Sequence, residues 1–369
     1  MISDFVKSKR AGKPMSNKKN DFGKMIVHLF PHSAFMSDFI KTNNEKFGKE
    51  NHCFIVYGSS PVSDRELFDE PNVKIVSGLW KMEKETISVI KNAQKIIVHS
   101  FFSLSLMLFL YLYGLFGKSY ILFWGAEYYQ FRQTYPLLHE VSKRIKRFGM
   151  KRAIAFITLI PGEYNYLSQY ICSKEKHFIT RYYSKCVDYE TRERSRNSPL
   201  RVLVGNSATI TNCHNEALAL LEHFTLDNID IFAPLSYGDK PYGERVAAFG
   251  RRLFGDKFHP LFEYMDSTDY YNFLKSMDVA VFNNDRQQAM GNIGYLFQTG
   301  AKVFLRKDTS MWSYYVEDCG CIVFDVNELK KMDYQTIGQF SEEEKRHNCD
   351  AINRDINIRS QLWEKIFDD

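Results

Sequence analysis

The chain has 369 residues, of which 44% are hydrophobic and 15% aromatic, enough apolar material for two packed domains of ordinary size. Its 49 lysines and arginines stand against 44 acidic residues, and a formal charge of +5 gives no ground for a nucleic-acid partner. The seven cysteines, at 53, 172, 186, 213, 319, 321 and 349, form no CxxC pair and no Cys/His cluster with zinc spacing. Free thiols in a reducing cytoplasm are therefore expected, with neither a disulfide framework nor a metal site.

In chain order, the first twenty residues (MISDFVKSKRAGKPMSNKKN) are basic and polar and lack the apolar core of a secretory signal. Residues 1–22 read as a flexible tail. Short β-rich runs then alternate with helical segments: MIVHLF (25–30), CFIVYG (53–58), VKIVSG (73–78), KIIVH (95–99), YILFW (120–124) and AIAFIT (153–158). Near-continuous apolar strands separated by helices predict a parallel, doubly wound sheet covered on both faces, forming a first domain over residues 23–185. Between two of these runs lies the nearly uncharged stretch FFSLSLMLFLYLYGLF (101–116). Its 16 residues fall short of the ~20 needed to span a bilayer, and a deeply buried crossover helix is expected.

Residues 139–152 (HEVSKRIKRFGMKR) carry Lys143, Arg144, Lys146, Arg147, Lys151 and Arg152 against a single acid, Glu140. Val141, Ile145 and Phe148 recur at i, i+4 and i+7 and form an apolar stripe on one helix face. Two readings fit: an interfacial helix drawn to an anionic membrane surface, or a soluble helix whose stripe packs on the sheet.

Residues 186–199 (CVDYETRERSRNSP) are polar, end in Pro199 and read as a linker. The strand–helix pattern then restarts with RVLVGNS (201–207), a helix from Asn215 to His223, IDIFAP (229–234), DVAVF (278–282), KVFL (302–305) and CIVF (321–324). This is a second Rossmann-like domain, over 200–340. Ser341 and Glu344 form an S-x-x-E capping box that opens a last helical segment, 341–369, expected to cross back to the first domain. The predicted fold is α/β, with two doubly wound domains facing across a cleft, and ligands of such sheets bind beyond the carboxyl ends of the strands.

Two constellations fall at those ends. In VLVGNS, Gly205 allows close backbone approach, while Asn206 and Ser207 can donate to a phosphate oxygen; a plain strand-to-helix turn is the competing reading. In NNDRQQAMGN (283–292), Arg286, Gln287 and Gln288 precede Gly291 at a helix start, and a guanidinium beside a helix N-terminus suits a diphosphate.

These segments carry a resemblance. VGNS (204–207) with HNEAL (214–218), APLSYG (233–238), EYM (263–265), DRQQAMGN (285–292) and QTG (298–300) resemble the bacterial 4-acetamido-4,6-dideoxygalactose (N-acetylfucosamine) transferases of enterobacterial common antigen synthesis. WGAEYY (124–129) and the histidine of VHS (His99) extend the likeness into the first domain. It implies a GT-B glycosyltransferase that takes a dTDP- or UDP-sugar and an undecaprenyl-diphosphate-linked saccharide acceptor, peripheral at the cytoplasmic face of the inner membrane. It also adds Tyr237, Asn292 and Tyr264 to the donor set. The family's WGAD reads WGAE here, and its RQQ-x-x-G segment continues as Gly291-Asn292-Ile293.

Many retaining GT-B enzymes carry two glutamates eight residues apart on this strand–helix unit; here Gln287 and Gln288, then Tyr295 and Leu296, occupy those regions. No DxD motif lies on a suitable loop, so metal-independent transfer without a cofactor is expected, relying on Arg286, backbone N–H groups and neutral amides. Transfer also needs a base for the acceptor hydroxyl. Glu127 is the first candidate, His32 the second, and His99 a further one with His28 nearby. Two other classes stay open: a non-catalytic nucleotide-sugar binding protein and a sugar-nucleotide epimerase-like enzyme.

Overall fold

The computed structural model describes residues 25–33, 36–58, 70–101, 103–129, 137–192, 194–195 and 197–369, without the side chains of 137–139 and 360. The tail read over 1–22 lies outside the described residues.

The first domain runs β1 (Ile26–Pro31), α1 (Met36–Phe47), β2 (His52–Tyr57), β3 (Val73–Val76), α2 (Lys84–Asn92), β4 (Lys95–His99) and α3 (Leu104–Leu112). It continues with β5 (Ser119–Leu122), α4 (Ala126–Tyr129), α5 (Leu137–Arg152), β6 (Ala155–Thr158), α6 (Glu163–Tyr170) and β7 (Lys176–Ile179). The second domain begins β8 (Leu200–Val204), α7 (His214–Leu220), β9 (Ile229–Pro234), α8 (Lys240–Phe254), β10 (Phe258–Leu261) and α9 (Ser267–Lys275). After β11 (Val279–Phe282) come α10 (Met290–Gln298), β12 (Lys302–Leu305), α11 (Ser310–Ser313), β13 (Phe324–Asp325), α12 (Tyr334–Ile337) and α13 (Glu342–Asp368).

All strand pairs are parallel, and the sheets are ordered β3-β2-β1-β4-β5-β6-β7 and β10-β9-β8-β11-β12-β13. Each sheet therefore reverses direction once, between β1 and β4 and between β8 and β11, and a doubly wound sheet opens its ligand crevice at that point. Alternation along the strands feeds a core on each face. Val27 and Leu29 enter one cluster and Ile26 and Phe30 the other; Val202 and Val204 part from Leu203 in the same way.

The last helix joins the halves. Ser341 accepts from the Glu344 backbone N–H at 3.2 Å, and Glu344 accepts from Ser341 N at 2.7 Å, completing the capping box. Ala351 and Ile352 pack into the second-domain core, while Trp363 and Ile366 pack into that of the first.

The structure corrects two expectations. The crossover stretch is not deeply buried throughout: Leu106, Met107, Phe109 and Leu110 of α3 are enclosed, but Leu104, Leu108, Tyr111 and Leu112 are exposed. Only one face of a helix can meet the sheet, and neighbouring α5 covers little of the other. On α5 itself the apolar stripe of Val141, Ile145 and Phe148 faces outward, so the stripe does not pack on the sheet. Two strands also went unread. β7 (KHFI) is mixed in polarity, and β10 (FHPL) holds a proline that only an edge strand tolerates.

Candidate active site

The donor-type residues converge on the second domain's switch point. β8 ends in Gly205, held at φ +68°, where an added Cβ would lie 2.5 Å from His214 Nε2 and 2.9 Å from Asn212 Oδ1. Glycine is thus required twice, for the left-handed backbone and for room. The turn that follows is braced by Asn212, whose Oδ1 accepts from Asn206 N at 3.0 Å and whose Nδ2 donates to Ser207 O at 3.1 Å. Asn206 Nδ2 donates to the Tyr237 hydroxyl at 2.8 Å, and Gln288 Nε2 donates to Asn206 Oδ1 at 3.0 Å. Thr211 Oγ1 completes the line by donating to Gln288 Oε1 at 2.7 Å. The loops after β8, β9 and β11 are therefore tied together around one crevice.

The loop after β11 ends at Ala289, a non-glycine residue at φ 56°, with no side chain capping the α10 N-terminus. Space around Gly291 is open, and Asn292 Nδ2 turns to the Tyr270 hydroxyl at 2.8 Å. Tyr264, from the loop after β10, is exposed. Asn284, fully buried, leaves both polar atoms of its side-chain amide without a protein partner, and Gln287 Oε1 and His214 Nε2 are orphaned too. Each such atom costs about 1–3 kcal/mol, and the first domain holds buried atoms of the same kind, both amide atoms of Asn43 among them, so it is their place at a strand's carboxyl end that singles these out. Among the described residues, the three non-glycine positions with positive φ are Ser100, Cys213 and Ala289. Ser100 and Ala289 sit on the loops after β4 and β11, and Cys213 lies between β8 and α7. Such strain collects at functional sites.

Arg286 is half-buried on this loop, with Nη1 donating to Gln287 O at 3.0 Å. Burial lowers its pKa, while Asp285 and, from the first domain, Tyr129, Glu127 and Glu163 act to keep it charged. The domains touch where Gly125, at φ +111°, presses on Gln287, and a Cβ there would overlap the amide oxygen.

The acceptor-side candidates do not share one environment. Glu127 is completely buried at the start of α4; Trp124 N donates to its two carboxylate oxygens at 3.1 and 3.0 Å, and Phe101 N donates at 3.3 Å. Burial raises its pKa against the pull of these N–H groups, and the carboxylate clamps the loops after β4 and β5.

His99 is also fully buried, within a string of side chains. Trp124 Nε1 donates to the Tyr182 hydroxyl at 2.9 Å, which lies 2.7 Å from His99 Nδ1. His99 Nε2 meets His28 Nδ1 at 3.0 Å, and His28 Nε2 meets His52 Nδ1 at 3.1 Å. An indole can only donate, so Tyr182 accepts from Trp124; if its own proton goes to His99, the string runs in one direction with each imidazole protonated on Nε2. Burial lowers the pKa of all three histidines, which are neutral. His32, directly after β1, is half-buried at the rim of the first-domain crevice, with its backbone N–H donating to Tyr57 O at 3.0 Å.

Sequence reasoning missed Glu163, the first residue of α6. Its Oε1 accepts from the Tyr129 hydroxyl at 3.1 Å and from Ser310 Oγ of the second domain, while Oε2 is buried and unpaired. Burial pushes its carboxyl up to about 8, against the opposing pull of Ser310 and Arg286. The signal was the Pro161-Gly162-Glu163 turn beyond β6, a carboxylate at a strand's carboxyl end.

The proposed membrane residues divide. Arg144, Lys151 and Arg152 are exposed and Arg147 is half-buried, whereas Lys143 and Lys146 are buried, Lys143 pairing with Glu140 at 2.7 Å.

Two parallel sheets of Rossmann order, each with its own switch point, define a GT-B fold. Solved structures of that fold follow the whole chain. A glycosyltransferase from Rickettsia africae ESF-5 is similar at 13% identity and TM-score 0.64, covering 93% of this chain and 97% of that one. Sucrose-phosphate synthase from Thermosynechococcus elongatus is similar at 9% identity and TM-score 0.66, over 93% and 99%. WaaG, a glycosyltransferase involved in lipopolysaccharide biosynthesis, is similar at 14% and 0.58, over 93% and 99%. The chain itself belongs to the family described as 4-alpha-L-fucosyltransferase, glycosyl transferase group 56, whose sequence model matches residues 31–348. It is therefore a glycosyltransferase, and this membership fits the likeness to N-acetylfucosamine transferases while setting aside the non-catalytic reading.

Proposed function

We propose that this enzyme moves a dideoxy or acetamido sugar from a dTDP- or UDP-sugar to a lipid-linked saccharide acceptor in bacterial surface polysaccharide synthesis. The acceptor is an undecaprenyl-diphosphate-linked saccharide, and the enzyme works peripherally at the cytoplasmic face of the inner membrane. One observation carries the donor half: the crevice at β8/β11 gathers Gly205, Asn206, Ser207, Arg286 and the uncapped N-terminus of α10 around orphaned buried amides. Backbone N–H groups and one guanidinium are what a nucleoside diphosphate needs.

As the acceptor hydroxyl attacks the anomeric carbon, the bond to the diphosphate breaks, and Arg286 with the α10 dipole neutralises the departing charge. The hydroxyl proton passes to His32. Of the three candidates named from the sequence, it is the one that is not completely enclosed. Glu127 and His99 act through position, fixing Trp124 by its backbone and, through Tyr182, by its ring.

Calorimetry with dTDP and UDP tests the donor site. Arg286→Ala should weaken the preferred nucleotide by about ten- to a hundredfold, the scale of one charge-assisted contact. Unchanged affinity sinks the assignment. His32→Ala should keep nucleotide affinity and lose transfer; a variant with normal turnover removes His32 from the base role.

A further inference from the structure

Helix α5 is built inside out. Its apolar residues Val141 (48% exposed), Ile145 (37%) and Phe148 (48%) face solvent, whereas Lys143 and Lys146, at 8% each, face the protein. Lys146 feels the carboxylate of Glu127, so the inward face of α5 borders the loops at the carboxyl ends of the first sheet. Beside it, α3 turns Leu104, Leu108, Tyr111 and Leu112 outward, with Leu112 66% exposed. The two helices are in close contact: a Cβ on Gly149 of α5 would lie 2.8 Å from Phe116 and 3.1 Å from Met107, so only glycine lets them approach this far. The exposed Tyr111 and Phe148 rings meet across the seam at 6.5 Å. Trp80, half-exposed, is fastened to the same surface by its indole N–H on Ser105 Oγ at 2.6 Å.

The result is one apolar plateau, and a contiguous exposed apolar face of this kind marks an interaction surface. The charge around it identifies the partner. Exposed Arg144, Lys151 and Arg152 lie along the α5 side, and Arg152 stacks on the Phe148 ring at 3.4 Å. The helix's acid, Glu140, is spent on Lys143, and α3 carries no charge at all. An apolar face flanked along α5 by exposed basic residues, with a tryptophan at its other edge, matches a bilayer whose headgroups are negative. No described helix is long and apolar enough to cross a membrane, so the contact is interfacial.

We propose that the α3–α5 face, with Trp80, is a monotopic docking surface for anionic phospholipid. It would hold the first-domain crevice against the leaflet that carries the acceptor. This rests on the lipid-linked acceptor proposed above and adds the surface that reaches it.

Co-sedimentation of the full chain with vesicles of phosphatidylcholine alone, and with phosphatidylglycerol added, tests it. Wild type should bind the anionic vesicles, and binding should weaken as salt rises. The triple variant Leu108→Ser, Leu112→Ser, Phe148→Ser should lose at least about tenfold of that binding, each exposed side chain contributing its transfer free energy. It should still transfer sugar to a short-chain, water-soluble acceptor. Reversing Arg144 and Lys151 to glutamate should cost about fivefold per basic residue lost, from about 1 kcal/mol each near a charged surface. The proposal is overturned if wild type ignores anionic vesicles or the apolar variant binds as wild type does. It is equally overturned if light scattering shows a dimer that the same three substitutions split. Absence of transfer to the soluble acceptor, with vesicle binding intact, would instead count against the proposed reaction and leave the docking surface standing.

Discussion

The two domains wind their sheets in the same order but finish the switch point differently. Between β8 and β11 the chain leaves a glycine at positive φ, uncapped helix N–H groups and buried amides without partners. Between β1 and β4 the corresponding strands carry His28 and His99, which satisfy each other and continue through Tyr182 to Trp124. A closed hydrogen-bond string adds rigidity at the first switch point, whereas the second leaves amide atoms at its loop that nothing in the protein satisfies. On the function proposed above, the second domain receives the donor at its switch point. The first is braced at its own, and the proposed reading places its part at the rim and the outer helices.

The sharpest way to break this contrast is to remove the first domain's anchor. Trp363→Ala should destabilise the protein by about 3–5 kcal/mol, the usual cost of emptying a fully buried tryptophan site. The Trp363 ring packs 4.9 Å from Phe39 in the first-domain core, so hydrogen exchange should rise there first. Uniform loss of protection across both domains would show that they do not keep separate stabilities.

Gly205→Ala comes next, at about 2 kcal/mol or more from left-handed strain and the clash with His214. Its nucleotide affinity should fall by at least about tenfold while vesicle binding persists. A variant that binds dTDP or UDP normally would detach the glycine from the donor site.

The smallest effect concerns Glu163 between the halves. Its carboxyl rises from 4.5 unfolded to about 8 folded, so the native state binds more protons than the unfolded one between those values. Stability must therefore fall as pH climbs from about 4.5 to 8. Glu163→Gln removes that loss. The variant should melt higher than wild type near pH 8, by about 1–3 kcal/mol after allowing for relaxation, and match it near pH 4.5. Parallel melting curves across that range would mean that the carboxyl is not held protonated at the domain contact.

Much of the fold was legible because parallel strands buried on both faces announce themselves as apolar runs; KIIVH and IDIFAP match β4 and β9 at both ends. β10 escaped because an edge strand needs no such run, and FHPL hides behind its proline. The donor loops were readable because Gly205 and Arg286 lie next to strands that a local pattern identifies. Glu163 was not readable in this way. Its environment comes from Tyr129 and Ser310, distant in sequence and joined only by the docking of two domains. The orientation of α5 was beyond pattern too, since periodicity gives the angle of a stripe but not what it faces.

The contact of Gly125 with Gln287 has a mechanical consequence. It is a bearing point with no side chain on the Gly125 side, and Gln287, on the other, is one residue from Arg286 along the chain. Any rotation of one domain on the other leaves atoms near such a fulcrum almost still and moves distant ones in proportion to their radius, about 2 Å for a 10° turn at roughly 10 Å. The outer lips of the crevice can therefore part to exchange substrates while the guanidinium stays registered against the first domain.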